Sequence, residues 1–516
     1  MDERTLIEEA DRRAHAYLAS VDHRRVFPDA EALRALAAFD EPLPDRGAGA
    51  EATLRMLDEL GSPATAVSNG PRYFGFVIGA SLPAAAAAER LMLAWDQCAS
   101  SFDNSPIAAT LERIAGRWLL DAFGLPAESA VGFGTSATAC TLACISAARR
   151  RLLARKHWDF DGDGLVGAPE VKVVVSETVH VTVKKALRIL GFGMNRLLVA
   201  PTDEYGRIDP ERLPPLDDAT ILCLAAGEVN TGEFDPFEVL IARARAAGTW
   251  VHVDGAFGLW ARASSHAELA RGVEAADSWT TDGHKWLNTP YDGAVAICRD
   301  ADALAAAMNS DAAYATASRD AQKNLTLEFS RRARGLPIWA ALRTLGRDGV
   351  AAMVDRHVAQ ARRIGQALRE AGYEVLNRVV LNQVLVRAGS DAETTAVRQA
   401  AQASGVLRFV NVSTDKAVNP TSVLGVTKRI AEFLVLQAAE DGEGEGRVCE
   451  RPVRQCPGQP GQRDPALPRP DPPGRPPHHH ARGDDAVLHD HPRGRAAGAA
   501  GGHAGAERQG LRARHG

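Results

Sequence analysis

Long apolar runs, paired cysteines, a glycine-rich nucleotide fingerprint and a basic stripe are all missing from this chain. The longest Ala/Leu stretch, residues 80–93, is broken by Glu89 and Arg90 and is too short to span a bilayer. The seven cysteines are scattered without a Cys-x-x-Cys pair, so reduced thiols are expected instead of a disulfide framework or a zinc site. Cys140 and Cys144 share one helical face, a spacing that reads as core packing. A formal net charge of −5, with no lysine and arginine cluster interleaved with aromatics, gives no footing for nucleic acid. The opening Met1-Asp2-Glu3-Arg4 is charged and no apolar leader follows, so a cytoplasmic location is the expectation. Asp159, Asp161, Asp163, Gly164 and Glu170 do reproduce calcium-loop spacing. The stretch that follows, Val171 to Val175, reads as a strand where such a loop needs a helix, and no metal site is expected.

What is present is ample for a large core. With 516 residues, 45% of them hydrophobic, the chain can fill two or three domains. Strand-like apolar runs alternate with helical patterns through its middle, which implies an α/β fold with a mostly parallel sheet covered on both faces. Within this region stands Thr281-Asp282-Gly283-His284-Lys285-Trp286. A lysine beside bulky aromatics suits a desolvated amine, nucleophilic toward an aldehyde. A bare His-Lys pair is more often a surface lysine beside a core tryptophan. Upstream, however, the apolar run Val251-His252-Val253 ends in Asp254, followed by Gly255 and Ala256. An aspartate there can hold a protonated ring nitrogen, and the small residues leave room for a flat ring. Lysine and aspartate together read as the two ends of a pyridoxal 5'-phosphate site.

The pattern His252-x-Asp254-x-Ala256 followed by Asp282-x-His284-Lys285-Trp286 resembles the group II pyridoxal-dependent decarboxylases, the glutamate, tyrosine and aromatic amino acid decarboxylases. The resemblance implies a fold-type I, PLP-dependent transferase-like architecture and decarboxylation of an L-amino acid to the amine and CO2. It also implies a homodimer, with the cofactor near the interface. Gly134-Thr135-Ser136-Ala137-Thr138 opens a helix, and by itself this is an ordinary hydroxyl cap whose free N–H groups favour a phosphate. The resemblance makes Ser136, Ala137 and Thr138, with His284, the phosphate holders. Ser176 to His180 matches the segment whose histidine, here His180, stacks on the ring. Two departures stand out. Glu228 replaces a usual threonine near the cofactor, where a carboxylate would perturb the cofactor's protonation. The loop before Arg331-Arg332-Ala333-Arg334 has no tyrosine between Ala315 and Ile338. Gln322 falls near the position of the family's proton-donating tyrosine and Leu325 where many relatives are aromatic, which leaves Tyr314 as the candidate acid. Loss of that acid opens a rival outcome, decarboxylation-linked oxidative deamination or transamination.

By pattern the chain divides into an N-terminal helical segment 1–80, a large cofactor-binding domain 81–335, a partial small C-terminal domain 336–403, a fragment 404–440 and a tail 441–516. The fragment carries Thr414-Asp415-Lys416 and Leu424-x-x-x-Lys428 and resembles the nucleotide-sugar 4,6-dehydratases. Without a glycine fingerprint it cannot build a dinucleotide site. The tail holds 11 of the 28 prolines and 14 of the 46 glycines and lacks lysine and aromatics, so it cannot bury a core and is expected to be disordered. His478, His479 and His480 within it read as solvated. The breaks near 404 and 440 are expected to mark a fusion and then a frame change, which would leave the small domain incomplete and the product open to catalytic impairment.

Overall fold

The computed structural model describes residues 2–309 and 321–403. Tyr314, the 404–440 fragment and the 441–516 tail lie outside the described residues. Three helices come first: α1 (Glu3–Ser20), α2 (Ala30–Ala35) and α3 (Ala50–Met56), none of which fully buries a residue. Asp2 and Asp29 start the first two, their carboxylates accepting from the N–H groups of Thr5 and Ala32. Next are α4 (Pro83–Trp95) and α5 (Pro106–Phe123). Ser105 caps α5, Pro106 fills its first position, and Gly124 at φ 61° ends it.

The central sheet begins with β1 (Ala130–Gly134), which leads into α6 (Ala137–Arg155) and a short α7 (Phe160–Asp163). Then follow β2 (Lys172–Ser176), α8 (Val181–Ile189), β3 (Leu198–Ala200), β4 (Thr220–Ala225), α9 (Phe237–Ala246) and β5 (Trp250–Asp254). The last two strands are β6 (Ser278–Asp282) and β7 (Ala294–Cys298). The spatial order is β1-β7-β6-β5-β4-β2-β3, and β7 alone runs antiparallel to its neighbours. Alternate side chains of each strand enter opposite layers. Val174, Leu222, Leu224 and Val251 pack with Phe237, Trp260 and Ile338, while Val173, Val175, Ile221 and Cys223 pack with Ile145, Leu152 and Leu187. Both faces are therefore covered, as a parallel sheet requires.

Beyond the sheet lie α10 (Ala301–Met308), α11 (Gly335–Glu370, bent at Gly346), β8 (Glu374–Val375), β9 (Val386–Arg387) and α12 (Asp391–Ala403). β8 and β9 form one antiparallel pair, two residues on each side. The backbone between them turns aside to dock on the loop after β4. Asn377 Nδ2 donates to Thr231 O at 2.9 Å, and Arg378 pairs with the buried Glu233 at 2.5 Å. The calcium-like spacing is otherwise engaged: Asp159 caps α7, Asp161 pairs with Arg150, and Glu170 with Arg196. Cys140 and Cys144 pack against Ala294 and Ala296, and burial pushes both thiols up.

A buried ion pair joins α5, β1 and the start of α11. Arg331 donates to Glu112 Oε2 at 2.8 Å and Oε1 at 3.0 Å, and also to Phe133 O and Ala99 O. The Gly335 N–H adds a bond to Glu112 Oε1 at 2.9 Å. Glu112→Ala leaves this guanidinium buried without its partner and should cost about 3–5 kcal/mol in urea unfolding. A loss below about 1 kcal/mol would show that water or rearrangement replaces the pair.

His252 on β5 is fully buried; its Nδ1 lies 3.0 Å from Ser278 Oγ and its Nε2 has no partner among the described residues. Burial pushes it down to about 4. Between that value and the ordinary histidine value the unfolded chain holds the extra proton, so acidification removes stability. Asp235 runs the other way. Buried, it accepts from the N–H groups of Ile208 and Ala225 and is pushed up to about 6, so it gains stability as pH falls through 6. His252→Gln keeps the Asp235 effect and loses the other. Its stability relative to the native protein should therefore rise as pH falls from about 6.5 to 4, by about 3 kcal/mol. A difference that stays constant over this range in urea titrations would refute a buried neutral His252.

Candidate active site

The C-terminal ends of β1, β2, β4, β5 and β6 open onto one edge of the sheet, the side where parallel strands present ligand-binding loops. After β1 the chain turns at Ser136, whose Oγ accepts from Ala139 N–H at 3.3 Å and so caps α6. The N–H groups of Ser136 and Thr138 have no partner among the described residues. The Ala137 N–H is engaged: it donates to Asp282 Oδ1 at 2.8 Å. Two of the three expected phosphate donors are thus free, and the third is held by a carboxylate.

Lys285 lies three residues beyond the end of β6, and its Nζ is 2.9 Å from Asp282 Oδ2. The Asp282 side chain is 3% exposed and that of Lys285 22%. This corrects the expectation of an amine desolvated by aromatics. Trp286 packs into the core, with its ring stacked 6.4 Å from His357, and the partner of the lysine is a buried carboxylate. Asp282 carried no sign of this role on the sequence beyond its spacing to Lys285. The lysine turn is clamped from outside, where Gly79 N–H donates to His284 O and Leu82 N–H to Asn288 O. Gly79 must be glycine, since a Cβ would lie 2.1 Å from Lys285 O.

Asp254 ends β5, partly exposed; its Oδ1 accepts from Ala256 N–H at 3.2 Å and its Oδ2 has no hydrogen bond among the described residues. Ala256 is partly exposed. Gly255 does not provide ring space: a Cβ there would meet Leu259 Cβ at 2.8 Å and Thr280 O at 3.1 Å, so the fold itself uses its smallness. His180 is the N-cap of α8, its Nδ1 accepting from Thr182 N–H and lying 2.6 Å from Thr182 Oγ1. Burial holds its imidazole below the ordinary value, opposed by the charges of Asp254 and Glu228 and reinforced by that of Lys285. Glu228 turns away into its own loop, accepting from Asn230 N, Asn230 Nδ2 and Thr231 N, each at 2.8 Å.

His284 Nδ1 accepts from Gly293 N–H at 3.2 Å, which leaves the ring proton on Nε2, 3.7 Å from Asp282 Oδ1. The Tyr291 ring lies over it at 4.4 Å. Gln322 is no loop acid. Its Oε1 accepts from Phe133 N–H and its Nε2 donates to Val131 O, so it pairs with the free edge of β1 as a strand would. The set fits pyridoxal phosphate on three counts: an accessible amine, a carboxylate with a free oxygen, and unpartnered N–H groups at a helix start.

Residues 37–388 match the family described as pyridoxal-dependent decarboxylase conserved domain, and residues 389–452 match a second, described as polysaccharide biosynthesis protein. The chain is 28% identical over 447 residues to the L-2,4-diaminobutyrate decarboxylase of Rhizobium meliloti (strain 1021), covering 80% of this chain and 86% of that protein. It is 28% identical over 370 residues to a tyrosine decarboxylase of Oryza sativa subsp. japonica, covering 67% and 68%. Among solved structures, Oryza sativa TDC with PLP and tryptamine shares the fold with a TM-score of 0.74 at 22% identity, covering 85% of this chain and 97% of that one. The first family match spans most of the chain and takes in the whole sheet edge described above, and so this chain belongs to the pyridoxal-dependent decarboxylases.

Proposed function

We propose that the protein removes the α-carboxyl group of an L-amino acid as CO2 and releases the amine, with pyridoxal phosphate held on Lys285. The observation that supports this reading is the meeting of Lys285, Asp254, His180 and the open start of α6 at one sheet edge. When bound, the cofactor supplies a conjugated ring that takes the electron pair left on Cα as CO2 departs. Lys285 would hold the cofactor through its aldehyde. Asp254, through its free oxygen, would keep a proton on the ring nitrogen. His180, tied back to Thr182, would cover the ring, and the small Ala256 would leave it space. Ser136, Ala137, Thr138 and His284 would hold the phosphate, and Tyr314 is the proposed proton donor to Cα. The two curated relatives act on substrates of opposite side-chain chemistry by name, and the proposal is made for L-amino acids as a class.

Lys285→Ala should abolish both the visible absorption of the bound cofactor and its borohydride-reducible link to the chain. A retained reducible link would refute Lys285. Turnover of the proteinogenic amino acids and 2,4-diaminobutyrate should yield amine in step with CO2; aldehyde in place of amine would establish the oxidative rival.

We also propose a homodimer. The segment 74–107 carries Phe74, Leu91, Leu93, Trp95, Phe102 and Ile107 with exposed apolar surface, and a second copy would cover it with an obligate-type interface of about 2,000 Å² or more. Light scattering should give the dimer mass for the full chain and for a chain ending at residue 403. A monomer in both would overturn the assembly.

A further inference from the structure

One carboxylate, that of Asp282, holds two of the groups that pyridoxal phosphate needs. Its Oδ1 takes the Ala137 N–H at 2.8 Å, at the first residue of α6, and its Oδ2 sits 2.9 Å from Lys285 Nζ. The same Oδ1 lies 3.7 Å from His284 Nε2. The residue is buried, so its charge is little screened by solvent. The geometry points to Asp282 as a brake on cofactor loading, one that competes with the cofactor's phosphate for the start of α6 and holds Lys285 in an ion pair that opposes its attack on the aldehyde. This rests on the cofactor reading given above.

Two physical effects act in the same direction. A helix start favours an anion, and here Asp282 already supplies one, its Oδ1 accepting the Ala137 N–H. A phosphate bound through Ser136 and Thr138 therefore meets a like charge within a few ångströms and must displace it from Ala137. The lysine, meanwhile, has no lone pair to offer an aldehyde while it serves as the cation of the pair. Asparagine at this position keeps the shape and an acceptor for Ala137 and removes the charge behind both effects.

The test uses the full chain stripped of cofactor, titrated with inorganic phosphate by calorimetry. Asp282→Asn should bind phosphate at least about tenfold tighter than the native protein, and Asp282→Glu, which keeps the charge, should not. In the same stripped proteins, trinitrobenzenesulfonate should label Lys285 faster in Asp282→Asn than in the native chain, read by peptide mass spectrometry. Should Asp282→Asn fail to fold, Asp282→Ser removes the charge and should show the same two gains. Phosphate affinity that is unchanged or weaker in the uncharged variants overturns the inference, as does unchanged labelling. If native protein forms no reducible link at Lys285, it is the cofactor reading that fails. If the link forms and the uncharged variants gain nothing, the brake fails alone.

Discussion

Because β7 runs antiparallel between β1 and β6, the C-terminal ends of those two strands emerge on one edge of the sheet, two strand spacings or roughly 10 Å apart. That single reversal sets the start of α6 opposite the lysine turn. A side chain at the end of β6 can then reach across, and Asp282 does so, touching Ala137 on one side and Lys285 on the other. On the far side of β6, the parallel β5 brings Asp254 to the same edge one strand away, and β2 carries His180 to it from beyond β4. Placed anywhere else in the order, β7 would break this arrangement.

The surroundings hold that edge rigid through buried polar groups. Arg331 and Glu112 bind α5, β1 and α11 together with both side chains almost wholly out of solvent. An exposed pair such as Arg4 with Glu8, at 90% and 67% side-chain exposure, contributes about 0–1 kcal/mol at most. The buried pair is different in kind, since removing either partner strands a charge. Arg334 extends the network to Asp292, the neighbour of the Tyr291 that covers His284. Gln322 closes the open edge of β1 with two side-chain bonds, so the segment around residue 322 is anchored to the strand that leads into the Ser136 turn.

Much of this was legible in the residues. Alternation of apolar runs and helical patterns announced the sheet, and the end of one run marked Asp254, because in a parallel sheet strand ends present ligand-binding loops; His180 and Ser136 were marked by the family resemblance. Lys285 was legible for the same reason. The contacts of Asp282 were not: the residue stood in the motif, but its spacing could not say which amide it meets across the sheet edge. Glu112 and Arg331, 219 residues apart, were equally silent. The bonds of Gln322 were silent too, because alignment of a short motif cannot report that a side chain has taken over the pairing of a strand.

Sequence alone determined the elements and the chemistry on offer: apolar periodicity is local, and so are caps such as Ser105-Pro106 and Ser136. It also determined the family, through motifs short enough to be read without coordinates. Only the tertiary structure decided who pairs with whom. Whether Lys285 faces an aromatic or a carboxylate, whether Glu228 reaches the cofactor or its own loop, and which N–H groups remain open at α6 all depend on the order of strands and on contacts between residues remote in the chain. Such contacts are set by packing and electrostatics in the folded state, which no local pattern encodes.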